Sequence, residues 1–262
     1  MKPINLLKIL LAFMFVFVST QSFAKTLKWS MQGDSLTLDP HAQNEGPTTQ
    51  VSRQIYEALV TRGLDMKIGP QLAIKWKAVD PNTWYFFLRE DVKFSNGQKM
   101  TSDDVVFSIL RAKQPTSDFK EYISTISGVK AIDDYTVQIK TSKPNPILLN
   151  QLSNIFIMSK QWSADNFAVA PQNWDAGQET FSATNAMGTG PFKITLREPN
   201  TKTVFKKNSK WWGNVEHNIT EIQLLPIKNA ATRVAALLSG EIDLVTDAPV
   251  QDLARISSSG GH

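Results

Sequence analysis

The chain has no cysteine among its 262 residues, only three histidines, and one long apolar run. Without cysteine there are no disulfides, so a domain of this size must draw its stability from a core. The same absence excludes a lipid-modified N-terminal cysteine. His41, His217 and His262 are far apart, with no H-x-x-x-H or H-E-x-x-H spacing, which argues against a zinc site. A G-x-S-x-G nucleophile elbow is missing too. Gly188-Thr189-Gly190-Pro191 contains G-x-G, but Pro191 removes an amide donor and the rest of a phosphate loop is missing. The acidic pairs have structural readings: Asp103-Asp104 at a helix N-terminus, where carboxylates favour the dipole, and Asp133-Asp134 in a turn before a strand. Asn218-Ile219-Thr220 matches a glycosylation sequon by chance. No catalytic constellation emerges, so the chain is not expected to be an enzyme, and no cofactor or metal is expected.

Charge of either sign is also sparse. The balance is 28 basic against 24 acidic residues. Removing residues 1–24, which carry Lys2 and Lys8 and no acid, leaves 26 against 24, a net of +2. The one basic group, Lys202, Lys206, Lys207 and Lys210 beside Trp211 and Trp212, reads as a solvated strand edge rather than a nucleic-acid surface. No nucleic-acid partner is expected.

What is present begins with an export signal. Lys2 and Lys8 precede an unbroken apolar run over residues 9–18, and Ser22-Phe23-Ala24 supplies the small residues that signal peptidase requires. A membrane-spanning helix needs about 20 apolar residues, roughly twice this run. Cleavage is expected after Ala24, releasing a free periplasmic protein.

Beyond the leader, short strands and helices alternate. Residues 26–31 alternate Leu27, Trp29 and Met31 with polar neighbours, a half-buried strand. Residues 48–60 place Val51, Ile55, Ala58 and Leu59 at helical spacing. Trp84, Phe86 and Leu88 share one strand face and Tyr85 and Phe87 the other, which predicts cover on both sides. Ser95-Asn96-Gly97 forms a turn. Thr101 and Asp104 form a capping box for a helix with Val105, Val106, Ile109 and Leu110 as its apolar stripe. Residues 136–140 form a strand with Val137 and Ile139 inward, and Phe192, Ile194 and Leu196 begin another. Asn229 caps a helix carrying Val234, Leu237 and Leu238, ended by Gly240, and residues 242–245 are a short strand. The pattern predicts an α/β or α+β architecture with a mixed sheet. The polar, proline-containing stretch at 171–180 is the best internal boundary, and the tail after 250 is expected to fray.

These motifs form an ordered series. It runs through Leu38-Asp39-Pro40-His41, Ile55-Tyr56-Glu57-Ala58-Leu59-Val60, and Pro70-Gln71-Leu72-Ala73 before Trp76. Val92-Lys93-Phe94-Ser95-Asn96-Gly97 and Thr101-Ser102-Asp103-Asp104-Val105 follow, then Gly188-Thr189-Gly190-Pro191-Phe192, Trp211-Trp212-Gly213 and Ser239-Gly240-Glu241-Ile242-Asp243. In order and spacing the series resembles the periplasmic solute-binding proteins of peptide and nickel ABC transporters, over nearly all of residues 26–248. The resemblance implies a periplasmic binding protein-like fold of the large peptide-receptor class. Such a receptor has two lobes that close over a peptide or other small solute and deliver it to an inner-membrane ABC permease, working as a monomer. On that mapping the chain carries only the first lobe. Residues 25–56 and 179–250 form one subdomain, 57–178 an inserted second one, and 251–262 a frayed tail, with the second lobe absent.

The resemblance places a ligand-side loop just after the Leu-Asp-Pro motif, at Asn44, Glu45 and Gly46 with Pro47 and Thr48. An ordinary turn opening the next helix is the alternative. Asp39-Pro40-His41 is expected to position this loop, with His41 satisfied structurally. Trp162 and Trp174 are either cleft-lining or core residues, and Gly188-Thr189-Gly190 shapes the route near the hinge. Nickel-binding relatives carry an arginine where this chain reads Ser153-Asn154-Ile155-Phe156, which lowers a nickel-chelate reading beside haem, glutathione or another small solute.

Overall fold

The computed structural model describes residues 25–260; the export leader and its expected cleavage after Ala24 lie outside them. In chain order the first half contains β1 (Lys25–Ser30), α1 (Gly46–Ile55), β2 (Val60–Arg62), β3 (Ile68–Pro70), β4 (Ala73–Asp80), β5 (Thr83–Leu88), α2 (Ser102–Ala112), β6 (Ile126–Asp133) and β7 (Thr136–Thr141). There follow α3 (Leu148–Leu152), α4 (Lys160–Asp165), α5 (Phe181–Thr184), β8 (Phe192–Glu198), β9 (Lys202–Lys207), β10 (Ile219–Leu224), α6 (Ala230–Leu238), β11 (Leu244–Val245) and α7 (Leu253–Ser258). No described helix is long and apolar enough to cross a membrane.

Two large sheets organise these elements, beside a two-stranded antiparallel β2-β3 sheet. One has five strands in the order β11-β1-β10-β9-β8, with β1 parallel to both neighbours and the rest antiparallel. The other is a four-stranded antiparallel sheet, β4-β5-β7-β6, built wholly from residues 73–141. Each sheet has its own core. Trp29, Met31, Val51, Ile55, Tyr56, Phe205 and Leu224 pack on the first. Phe86, Leu88, Phe94, Val105, Ile109, Val137 and Ile139 pack on the second, where burying each large side chain contributes about 1.5–3 kcal/mol. Trp162 touches both clusters, so it is a packing residue at their junction.

Several elements follow their local signals. The Asp104 carboxylate accepts from Thr101 N–H at 2.9 Å at the start of α2, and Asn229 caps α6 by accepting from Thr232 N–H at 2.9 Å. Gly97 and Gly240 take φ values of 98° and 75°, which side chains with a Cβ avoid. Val137 and Ile139 point inward as expected.

Others differ, each for a reason of packing. The helix expected over 48–60 stops at Ile55, because Tyr56 turns extended and the Ile55 carbonyl accepts from Gly190 N–H at 2.8 Å. Ala58 then bridges to Phe156, and Val60 enters β2. On β5 only one face meets the core. Tyr85 and Phe87 are half-exposed on the other, where the Lys75 ammonium lies 4.6 Å from the Phe87 ring centroid. Leu110 is exposed and Val106 half-buried, while Ser108 and Arg111 take inward places on α2. The lysine group is not on an edge strand, since β9 is paired on both sides; Lys206 and Lys207, successive residues at its end, are exposed on opposite faces. Residues 253–258 form the short helix α7, which has no buried residue.

The two sheets are joined by a polar node. Arg111 on α2 donates to both carboxylate oxygens of Asp39, at 2.7 and 2.6 Å, and both side chains are fully buried. Arg111 also donates to the carbonyls of Ala168 and Ala170, and Asp39 accepts from Gln172 N–H and the Ser182 hydroxyl. His41 Nδ1 lies 3.1 Å from an Arg111 nitrogen and Nε2 lies 2.9 Å from the Phe156 carbonyl. A guanidinium can only donate and a carbonyl only accept, so His41 is the neutral Nε2–H tautomer. It is a structural histidine, as expected.

Acid should loosen this node. Burial, reinforced by the Arg111 charge, lowers the pKa of His41 to about 3. In the unfolded chain it titrates near ~6.5. Between these values the unfolded state binds the extra proton, so stability rises with pH across the window and is lost on acidification. The slope from one such group is about 1.4 kcal/mol per pH unit. Burial opposes the Asp39 charge, but the Arg111 contacts outweigh it and hold Asp39 at about 2, so its contribution disappears only below ~3.9. Urea unfolding midpoints from pH 6.5 to 4 should therefore fall in the natural chain and fall less in a His41→Gln variant, which keeps a donor and an acceptor without the titration. Equal slopes would remove His41 from the account.

Candidate functional site

The segment after the buried node carries the expected ligand-side residues. Glu45 is the N-cap of α1, its carboxylate accepting from Thr48 N–H at 2.7 Å. Proline is favoured in the first turn, where its missing N–H costs nothing, and Pro47 sits there. Gly46, the first helical residue, is exposed and has open space where a Cβ would point. The Thr48 side chain is buried and accepts from Leu36 N–H at 2.9 Å. Asn44 is exposed and donates to the Tyr122 hydroxyl at 3.2 Å. Gln43 and Asn44 lie in irregular backbone that runs into the extended N-cap Glu45 (φ −123°, ψ 161°), and among the described residues the backbone N–H groups of Gln43 and Asn44 make no hydrogen bond.

Two hollows flank this short segment. On one side, Ala42, Gln43 and Trp174 help line a surface pocket of about 350 Å³. Trp174 thus lies beside the loop, while half-buried Trp162 packs between the two cores and lines a separate pocket with Phe181 and Leu196. On the other side is a groove of about 550 Å³ lined by Arg62, Glu121, Tyr122, Asn150, Gln151 and Asn154, with Ile147 exposed along it. The Asn44–Tyr122 hydrogen bond joins loop to groove. The groove was not foreseen, because it gathers residues from β2, a 3-10 turn at Lys120–Ile123, and α3 with the turn after it. Its only sequence trace is Asn150 and Asn154, four apart and so on one helical face.

The end of α1 is fastened from behind. Gly190 N–H donates to the Ile55 carbonyl at 2.8 Å, and Ser95 N–H donates to the Gly188 carbonyl at 3.0 Å. A Cβ on Gly188 would lie 2.1 Å from the Ile55 oxygen, and one on Gly190 would lie 2.7 Å from the same atom. Both glycines are there for close backbone approach. Just beyond, the buried Glu57 carboxylate accepts from the indole N–H groups of Trp211 and Trp212, at 3.1 and 2.9 Å. Burial pushes its pKa above the usual carboxylate range in spite of these donors. Arg89 stacks 3.8 Å from the Trp212 ring centroid. The tryptophan pair is thus a fastening for the chain after α1.

What this arrangement can do is hold a small molecule by backbone and side-chain polar groups along an open face. Among the described residues, no group of three or more His, Cys, Asp or Glu is placed to hold a metal ion.

The sequence profile of the bacterial extracellular solute-binding proteins, family 5 Middle, matches residues 67–261. The periplasmic oligopeptide-binding protein OppA of Salmonella typhimurium is 29% identical over 228 residues, which cover 79% of this chain and 40% of that protein. The periplasmic murein peptide-binding protein MppA of Escherichia coli is 27% identical, covering 84% of this chain and 43% of its own length. Among solved structures, AgaA of A. tumefacien R10 in complex with agropinic acid superposes with a TM-score of 0.80 at 28% identity, over 89% of this chain and 46% of that one. DppA of Helicobacter pylori in complex with the peptide STSA superposes at 0.78 with 25% identity, over 92% and 50%. The chain spans less than half the length of these curated relatives.

The glycine contacts make a prediction for this site. Gly188→Ala should destabilise the chain by about 1–3 kcal/mol, the usual range for overpacking, and should shift the amide signals of α1. Gly46→Ala, with open space around it, should leave the urea midpoint nearly unchanged. Equal effects from the two substitutions would contradict the close-approach role.

Proposed function

Because the chain belongs to the bacterial extracellular solute-binding proteins of family 5, we propose that it forms one wall of a solute-capturing cleft in a periplasmic receptor. The receptor would present its cargo to an inner-membrane ABC permease and act as a monomer without catalysis. Residues 25–56 and 179–250 form one subdomain on this reading, and 57–178 the other, each around its own sheet. The export leader and the periplasmic relatives support the compartment.

A peptide is the favoured solute, and Asn44, Glu45, Gly46, Pro47 and Thr48 form the segment that meets it. The observation carrying this is the irregular stretch at Gln43 and Asn44, whose backbone N–H groups make no hydrogen bond among the described residues, leading into the extended Glu45 beside two hollows. An extended peptide binds such a segment through main-chain hydrogen bonds, which do not depend on its sequence. In this division Asn44 and Gly46 offer the exposed surface, Glu45 and Pro47 set the helix start, and Thr48 anchors the segment from within. A different small solute is the second reading, favoured by the likeness to AgaA, whose structure holds agropinic acid.

One wall gives half the contacts of a closed cleft, and closure is what excludes water and raises affinity. Titrating the tripeptide Ala-Ala-Ala into the chain should shift the backbone amide signals of 43–46, with a dissociation constant of about millimolar, equivalent to about 4 kcal/mol. Sub-micromolar binding by this chain alone would refute the one-wall reading. Saturable shifts elsewhere with none at 43–46 would refute the assignment of the segment.

A further inference from the structure

Arg53 and Arg62 each bond to an asparagine that lines the groove, and neither has an acidic partner among the described residues. The Arg53 guanidinium donates to the Asn154 side-chain oxygen at 3.2 Å, and the Arg62 guanidinium to the Asn150 side-chain oxygen at 3.1 Å. The Asn154 side chain in turn donates to the Asn150 backbone carbonyl at 3.1 Å, which links the two arginine-bound residues. Beneath Arg53 lies the Phe156 ring, 5.7 Å from centroid to guanidinium carbon. Desolvation and the adjacent Arg62 charge lower the pKa of Arg53 from its ordinary value.

Three other arginines are neutralised by carboxylates, while half-buried Arg89 donates to the Gln71 carbonyl and stacks on Trp212. Arg111, Arg197 and Arg233 pair with Asp39, Asp34 and Asp247. Among the described residues no carboxylate forms an ion pair with Arg53 or Arg62, including Glu121 across the groove. A guanidinium has five N–H donors. Each of these two spends one hydrogen bond on a neutral amide, so most donors face outward. Two adjacent guanidiniums repel each other, and a shared anion removes that repulsion. The fork geometry of arginine suits a carboxylate in particular.

We propose that Arg53 and Arg62 form an anion subsite that anchors a carboxylate of the captured solute, held in place by Asn150 and Asn154. This deepens the receptor reading and rests on it: a solute lying along Asn44 and Tyr122 would place a carboxylate end at the arginine pair. The chemical class selected is an anionic solute, such as a peptide with a free C-terminus, over a neutral or cationic one. Because both side chains are exposed, the anchorage should weaken as salt rises.

The test follows the Nε–H signals of Arg53 and Arg62 by NMR, each assigned by its loss in Arg53→Gln or Arg62→Gln. Sodium succinate should shift both signals saturably, while sodium chloride at equal ionic strength should not. Each single variant should bind succinate at least about tenfold more weakly, the loss of one charge-assisted hydrogen bond. Indistinguishable effects of succinate and chloride on the natural chain would overturn the anion subsite. Ala-Ala-Ala should move the arginine signals together with the amides of 43–46, and its C-terminal amide should move only the latter. If peptide and peptide amide move the arginines equally, the carboxylate anchor fails and the receptor reading survives. If succinate moves the arginines and neither peptide moves 43–46, the anion subsite stands and the peptide reading falls.

Discussion

The buried pair between Asp39 and Arg111 is the constraint on which the rest of the structure depends. An ion pair removed from water loses several kcal/mol of solvation per charge, and attraction within the pair offsets this only when its remaining hydrogen-bonding groups are also satisfied. Here that completeness requires segments far apart in the chain. The Asp39 carboxylate needs Arg111, Gln172 and Ser182, and the Arg111 guanidinium needs the carbonyls of Ala168 and Ala170. Removing one partner would leave an uncompensated charge in the interior. The strand-to-helix loop after β1, helix α2 of the other sheet and the crossing at 168–182 are therefore held in one arrangement.

That arrangement places the exposed edge. His41 is locked by its two hydrogen bonds, so the chain leaves the node in a set direction and reaches Asn44 beside Tyr122. Behind it, Gly188 and Gly190 let a second strand of backbone press on the end of α1, and Glu57 draws Trp211 and Trp212 over the chain that follows. A wall of a cleft is useful only if it does not deform when the solute arrives, since energy spent ordering the wall is lost to affinity. A rigid support carrying a small open edge suits that role.

Much of this was legible in the residues. Thr101 and Asp104, Asn229, Gly97 and Gly240 act within three or four positions of their partners, so their capping and turn roles survive into the fold. The alternation in 136–140 did too. Readings failed where a distant partner intervened. Helix α1 ends at Ile55 because Gly190, far along the chain, takes its last carbonyl. Leu110 is exposed and Arg111 buried because Asp39 waits on the other side of α2. Lys206 and Lys207 lie on an inner strand because β10 pairs beside β9, a neighbour that no local pattern names. The groove was invisible for the same reason, although its arginines and asparagines are ordinary in the sequence.

By itself the sequence determined the class of fold and the ordered motifs that mark the family-5 solute-binding proteins. These depend on composition, period and spacing, which are properties of neighbouring residues. Tertiary structure alone decided which arginines pair with carboxylates and which bond to neutral amides, and which few residues after Pro40 stay exposed. Charge compensation and burial are sums over everything that surrounds a group, and those surroundings exist only once the chain has closed on itself.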